Sequence, residues 1–115
     1  MDSIIKTKSY HFALRIIKLY QLLTNNKKEY VMSKQLLRSG TSIGANVTEA
    51  LQGQSRPDFL SKMNISLKEA TETEYWLNLL HDGVYLSDKE FHSIYDDAEE
   101  LIKILVSIVK TTKNS

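Results

Sequence analysis

The stretch from residue 33 to residue 55 constrains the fold more than any other part of this 115-residue chain. Its apolar side chains recur at steps of four and three residues, which is the spacing of a helix buried along one face. A line of mostly small polar side chains, the polar seam, runs beside that face at the same spacing. The apolar line consists of Leu36, Gly40, Ile43, Val47 and Ala50, and the polar seam of Gln35, Ser39, Ser42, Asn46 and Glu49.

Two glycines, Gly40 and Gly44, lie one turn apart inside this predicted helix. Each costs about 1 kcal/mol relative to alanine in a helix interior. We therefore expect them to allow a neighbouring helix backbone to come close. The alternative is a backbone left open for a ligand. A helix embedded in a membrane is excluded because Lys34, Arg38 and Glu49 are charged.

Turn and capping signals divide the chain into four helices. Thr24 to Asn26 favour a break, and Gly53 is placed to end the second helix in a left-handed cap. Ser55 is the predicted N-cap of the third helix, and Ser87 with Glu90 forms a capping box for the fourth. The predicted helices span residues 3–24, 28–52, 56–82 and 88–110, with a frayed tail after them.

Short connections make consecutive helices antiparallel neighbours. The sequence therefore predicts an all-α fold, an antiparallel up-down-up-down four-helix bundle that forms a single domain over residues 1–115. The chain has no cysteine, no apolar run long enough for a membrane span and no signal-peptide pattern at its start. We expect a cytoplasmic protein without membrane contact and without disulfides or thiolate chemistry.

Charge is distributed unevenly along the chain. Residues 1–68 hold 11 Lys and Arg against 4 Asp and Glu, whereas residues 69–115 hold 4 against 10. The two halves can attract each other between subunits, or the basic half can bind a polyanion. Alternatively, they are only solvated helix faces of opposite charge. The candidate residues for binding phosphate are a basic stripe on the first helix, joined by two cations of the second: Lys8, His11, Arg15 and Lys18, with Lys34 and Arg38.

Apolar side chains exceed what one small bundle can bury. Seven of the nine residues from Leu101 to Val109 are apolar, and several apolar residues of the third helix lie away from its core line. Extra burial of this kind points to other copies of the chain. The candidate contacts between subunits are Ile65, Trp76, Leu79, Ile104 and Val106.

Glu74 falls on the core arc of the third helix, where a carboxylate must find a partner or take up a proton. The Ser42/Asn46 part of the polar seam, Arg38 and His81 are the partners we considered. We interpret Glu74, like Glu49 at the end of the seam, as structural. An enzyme built on these two carboxylates is a remote third possibility.

No motif supports catalysis or a cofactor. The three histidines lie on three different helices without the His-xxx-His or Glu-xx-His spacing of a metal site. There is neither a phosphate-binding glycine loop nor a Gly-x-Ser-x-Gly elbow. We therefore predict a protein that is not an enzyme and that has no catalytic residue, metal or cofactor.

Two segments, LLRSGTSIGANVTEALQGQSRPDF and ISLKEATETEYWLNLL, resemble the bacterial four helix bundle protein family. Its members are also called intervening-sequence proteins, because some are encoded in insertions within large-subunit ribosomal RNA genes. Many relatives carry proline at the position of Gly44, so we expect no proline kink here. The resemblance implies a ring-shaped homopentamer. It also extends to the accessory protein of diversity-generating retroelements, which binds a reverse transcriptase and contacts nucleic acid through a basic surface.

We therefore expect a self-assembling scaffold whose partners are further copies of itself and RNA or a nucleic-acid-processing protein. The alternative is a protein–protein interaction module without nucleic-acid binding, in which the two charged halves serve only subunit pairing.

Overall fold

The computed structural model describes residues 3–115, which form four helices. The helices are α1 (Ile4–Asn25), α2 (Met32–Leu51), α3 (Arg56–Asp82) and α4 (Asp88–Lys113). They pack in the order α1–α2–α3–α4, and α4 closes the bundle against α1 through the least extensive of the four interfaces. The predicted all-α four-helix bundle is confirmed.

Contacts between helices show that neighbours run antiparallel. Early α1 meets late α4 through Lys8 and Glu100, and later α1 meets earlier α4 through Arg15 and Asp97. The α2–α3 register runs the same way, because Arg38 lies beside Glu69 while the later Glu49 lies beside the earlier Lys62. At one end of the bundle, Arg56 Nη1 donates to the carbonyl oxygen of Ser115 at 2.8 Å.

One apolar core runs the length of the bundle and draws on all four helices. Its largest fully buried side chains are Ile16, Leu23, Leu36, Ile43, Met63, Leu77, Leu80, Leu101 and Leu105. The apolar line predicted for α2 lies in this core throughout, because Leu36, Gly40, Ile43, Val47 and Ala50 are all buried.

Helix α2 begins at Met32, four residues after the predicted start. Lys28 adopts a positive φ of 57°, which interrupts any helix there. The carboxylate of Glu29 then accepts hydrogen bonds from the backbone N–H groups of Val31, Met32 and Ser33, at 3.1, 3.0 and 2.7 Å. Burial raises the pKa of Glu29, but these bonds to the charged form outweigh it and leave the pKa below its usual value.

Of the other predicted helix ends, two are confirmed and two differ from the structure. The N-cap at Ser55 and the capping box of Ser87 and Glu90 are confirmed. The left-handed cap at Gly53 is wrong, since no glycine within residues 3–115 has a positive φ. Helix α4 continues through residues 111–113, where we expected a frayed tail; Lys110 and Lys113 in its last turn suit the negative end of the helix dipole.

The two glycines of α2 lie where α1 comes close, as predicted. A Cβ atom at Gly40 would stand 2.8 Å from Cγ1 of Ile16, and one at Gly44 would stand 3.3 Å from the carbonyl oxygen of Ser9. Helix packing therefore accounts for Gly40, which is buried against the Ile16 side chain, and for the side of Gly44 that meets the Ser9 backbone. Gly44 is only half-buried and also lines a surface groove between α1 and α2.

Candidate nucleic-acid and assembly surfaces

Two members of the basic stripe are engaged by the acidic face of α4. Lys8 Nζ donates to Glu100 Oε1 at 3.1 Å. Arg15 binds a carboxylate oxygen of Asp97 through Nη1, and its Nη2 donates to the hydroxyl of Ser93 at 2.8 Å. These pairs bridge the surface cleft between α1 and α4, and they neutralise part of the charge we assigned to phosphate.

The other two members of the stripe, His11 and Lys18, are exposed and have no ion pair within residues 3–115. Both line the same α1–α4 cleft, where the apolar side chains of Phe12 and Leu101 also lie. The cleft therefore has a basic rim on α1 and an acidic rim on α4. A phosphate group entering it would compete with the carboxylates for the paired cations.

The two cations of α2 also differ from each other. Arg38 pairs with Glu69 at 3.2 Å and with Glu72 in a shorter contact. Hydrogen bonds from Trp76 and Arg38 hold the pKa of Glu72 below its usual value. Lys34 is exposed and has no ion pair in the described part of the chain. The basic half of the sequence thus meets much of the acidic half within one chain, α1 against α4 and α2 against α3.

Only one residue of the polar seam reaches the interior. Ser39 Oγ lies 2.9 Å from Thr73 Oγ1, and both side chains are fully buried. A second buried hydroxyl, that of Ser66, donates to the carbonyl oxygen of Ile43 at 2.9 Å. We did not identify Ser66 and Thr73 from the sequence, although their seven-residue spacing along the core side of α3 was a usable signal.

The remaining seam residues serve α2 itself or its surface. Ser42 and Asn46 bond to carbonyl oxygens one turn back, at 2.6 and 2.8 Å. Gln35 accepts from Arg38 Nε at 3.3 Å, and the exposed Glu49 pairs with Lys62 at 2.8 Å. The polar seam is therefore buried at Ser39 alone, and Glu49 at its end reaches α3 at the surface.

Glu74 faces α4, and none of the partners proposed for it from the sequence contacts it. Burial raises its pKa to about 8, helped by hydrogen bonding and repulsion from Glu99, while a hydrogen bond with Tyr95 opposes the rise. Its Oε2 atom is buried and has no hydrogen-bond partner. The two neighbouring carboxyl groups resemble a pair that shares one proton. Within residues 3–115, no group of His, Asp and Glu side chains is arranged to hold a metal ion.

The five candidate subunit contacts fall into two groups. Ile65, Leu79 and Val106 are 40%, 37% and 46% exposed, which leaves apolar surface available. Trp76 and Ile104 are half-buried and pack against the core of their own chain. Trp76 also donates through Nε1 to Glu72 at 2.9 Å. Its side chain therefore finds most of its contacts within its own chain, although the helical wheel places it away from the core.

A further apolar surface lies on α1 and was not predicted. Tyr10, Leu14 and Ile17 are exposed, and their spacing places them on one side of the helix. Tyr10 is 64% exposed, although it occupies the middle of an ordered helix. The sequence carried this signal as a second apolar line on α1, parallel to the line that forms the core.

None of the four helices is both long and apolar enough to cross a membrane. A search of curated proteins found no significant match. Among solved structures, the chain is similar to a crystal structure of a protein of unknown function from the S23 ribosomal protein family of Bacteroides thetaiotaomicron. The two are 57% identical, with a TM-score of 0.92 over 93% of this chain and 99% of that one.

The model of the 23S rRNA-intervening sequence protein family matches residues 1–107, which include all of α1, α2 and α3 and most of α4. The quoted segments of α2 and α3, on which the resemblance depended, lie inside the matched region. The chain therefore belongs to the 23S rRNA-intervening sequence protein family.

Proposed function

We propose that this protein is a non-enzymatic scaffold that assembles with copies of itself and binds RNA or a ribonucleoprotein. The assembly part of this proposal is supported by one observation, namely that the small bundle has two separate apolar faces. One is the α1 face, formed by Tyr10, Leu14 and Ile17, and the other is the α3 face, formed by Ile65, Tyr75 and Leu79.

The two faces differ in composition, so the α1 face of one copy suits the α3 face of another copy better than a second α1 face. Contacts between two different surfaces are heterologous, and they produce rings when the rotation closes. A ring is also what the family resemblance implies, with five copies. Exposed apolar surface that recurs on two helices of so small a domain supports burial between subunits.

Light scattering at micromolar concentration tests this assembly. We expect a mass several times that of one 13.2 kDa chain, and a monomer for Leu14→Glu or Leu79→Glu, because each change places a charge inside an apolar contact. Val31→Glu is the matched control, since Val31 is exposed but lies on neither face. A monomeric wild-type protein would refute the proposal.

The RNA part of the proposal draws on the family, whose name refers to sequences that intervene in 23S rRNA. Within the chain it draws on His11, Lys18 and Lys34, which form no ion pair within residues 3–115. A ring would repeat these groups around its axis, and repetition strengthens weak polyanion binding without new contacts. We expect structured RNA to bind, and Arg15→Glu with Lys18→Glu to weaken binding while leaving assembly intact.

A protein–protein interaction module is the second candidate, and the ion pairs favour it. Lys8, Arg15 and Arg38 already have carboxylate partners, so the charge of half of the six candidate residues is partly neutralised before phosphate arrives. Fluorescence anisotropy with a labelled structured RNA at low salt separates the candidates. Absence of binding by a correctly assembled oligomer would leave the interaction module.

A further inference from the structure

One end of the bundle is strongly basic, and it is distinct from the stripe on α1. At this basic end α1 and α3 begin while α2 and α4 finish, so residues 3–7, 48–62 and 103–115 meet there. We propose that the basic end binds the phosphate backbone of RNA. This inference rests on the RNA binding proposed above and adds a second surface to the stripe proposed there.

The charge count at the two ends differs sharply. The basic end carries six cationic side chains against two acidic ones, Glu49 and Asp58. The opposite end, formed by residues 21–34 and 76–92, carries four cations and four acids. The cations of the basic end come from three segments that only the fold brings together: Lys6, Arg56, Lys62, Lys103, Lys110 and Lys113.

Most of these cations have no carboxylate partner. Lys62 pairs with Glu49, but the other five form no ion pair within residues 3–115. Arg56 donates one hydrogen bond to the carbonyl oxygen of Ser115, which fixes the guanidinium beside the last turn of α4. All but Lys62 are classed as exposed, so phosphate oxygens can reach them.

The basic end and the stripe would therefore respond differently to a polyanion. On the stripe, Asp97 and Glu100 neutralise part of the charge of Arg15 and Lys8 and compete with phosphate for them. At the basic end, the five cations without an ion pair release only counterions, and that release is the main source of nucleic-acid affinity at low salt. In a cyclic assembly, rotation would relate the basic ends of all copies and form one ring of positive charge.

The surroundings favour nucleic acid over an anionic membrane. Binding at a membrane surface needs a continuous apolar helix face beside the cations. At the basic end the exposed large apolar side chains are Ile4, Leu51 and Val106, which lie on three different helices. The loop between α2 and α3 is polar through Gly53, Gln54 and Ser55. Such a surface can follow a charged backbone but offers no face that inserts between lipids.

The experiment compares two double variants that remove the same charge from opposite ends. Lys110→Gln with Lys113→Gln alters the basic end, and Lys27→Gln with Lys89→Gln alters the balanced end. Each protein is sized by light scattering, checked for helix content and titrated into labelled structured RNA at several salt concentrations. We expect the first variant to bind about tenfold more weakly and its salt slope to fall by about two, one for each lost phosphate contact. The second should stay within about threefold of wild type.

The other outcomes would overturn the inference in distinguishable ways. Equal losses from both variants would mean that RNA responds to net charge alone. Loss confined to Arg15→Gln with Lys18→Gln would place RNA on the stripe, so the proposed function would stand while the basic end would not. A wild-type protein that ignores RNA at low salt would refute both, and binding instead to vesicles of anionic lipid would make the basic end a membrane surface.

Discussion

Helices α2 and α4 occupy equivalent places in the bundle, since each lies between α1 and α3, yet they hold those neighbours by different means. In the interior of the bundle, helix α2 uses small and neutral groups: Gly40 against Ile16 of α1, and Ser39 against Thr73 of α3. Its ion pairs with α3, made by Arg38 and Glu49, lie at the surface. Helix α4 uses ionisable groups. Asp97 and Glu100 pair with cations of α1, and Glu99 faces Glu74 of α3.

This difference predicts different sensitivities. A contact made by close packing depends on side-chain volume and is nearly indifferent to pH and salt. A contact made by exposed charges tolerates changes in volume but weakens with salt, and a buried carboxyl makes stability depend on pH. Added side-chain volume in α2 should therefore destabilise the bundle, whereas the stability provided by α4 should change with salt concentration and pH.

The largest effect is expected from Gly40→Val. The new side chain would collide with Ile16, which is fully buried and cannot turn away, so we expect a loss of about 3 kcal/mol in unfolding free energy. Urea unfolding followed by circular dichroism at fixed protein concentration measures it. The loss should be the same at low and high salt.

Gly44→Ala is the matched control for that variant. Its Cβ would stand 3.3 Å from the Ser9 carbonyl oxygen, a tight contact that is offset by the gain in helix propensity of about 1 kcal/mol. We expect a net change within about 0.5 kcal/mol. Equal losses of unfolding free energy at both glycines would show that the collision with Ile16 is not the cause of the loss in Gly40→Val.

Glu74→Gln should have the next largest effect, and it should stabilise the protein. The folded-state pKa is raised to about 8, so native Glu74 keeps its proton while the unfolded chain loses it above pH 4.5. Wild-type stability therefore falls as pH rises from about 4.5 to 8, and the glutamine variant escapes this loss. We expect a gain of about 2 kcal/mol at pH 8 and little gain at pH 4.

Thermal unfolding of both proteins across that pH range checks the prediction. Glu99→Gln should reproduce part of the gain because it removes the neighbouring charge. A constant difference between wild type and Glu74→Gln at every pH would show that packing, and not protonation, separates them.

A smaller loss is expected from Thr73→Val on the α2 side. The change leaves the buried Ser39 hydroxyl with only a long contact to the Leu36 carbonyl oxygen, at 3.5 Å. An unsatisfied buried hydroxyl costs about 1 kcal/mol or slightly more. Thr71→Val is the control, because Thr71 is exposed. Adding Ser39→Ala to Thr73→Val should recover part of the loss, since the orphaned group is then removed.

Local signals in the sequence predicted much of the fold. The caps at Ser55 and at Ser87 with Glu90 depend on residues within three positions, and the helix starts they predict are correct. The start of α2 was misplaced because its N-cap residue, Val31, has no capping side chain. Glu29, two residues earlier, instead reaches forward to the N–H groups of residues 31–33, and a capping group outside the N-cap position is not part of the usual sequence signal.

The candidate site was harder to predict because it depends on the register between helices. A helical wheel placed Glu74 on the core arc but could not say whether it faced α2 or α4. On the wheel, Lys8 and Arg15 also appear without ionic partners, because the carboxylates that pair with them lie 92 and 82 residues away in sequence. The basic end could not be predicted for the same reason, since its cations come from three separate segments.

The smallest effect is expected from Arg15→Met, which removes the Asp97 pair but keeps the length of the side chain. Both partners of the pair are more than 40% exposed, so its loss should cost no more than about 0.5 kcal/mol at low salt and nothing measurable at 1 M salt. Urea unfolding at the two salt concentrations measures the difference. A loss that persists at high salt would mean that α4 holds α1 by packing as α2 does, and the contrast between the two helices would disappear.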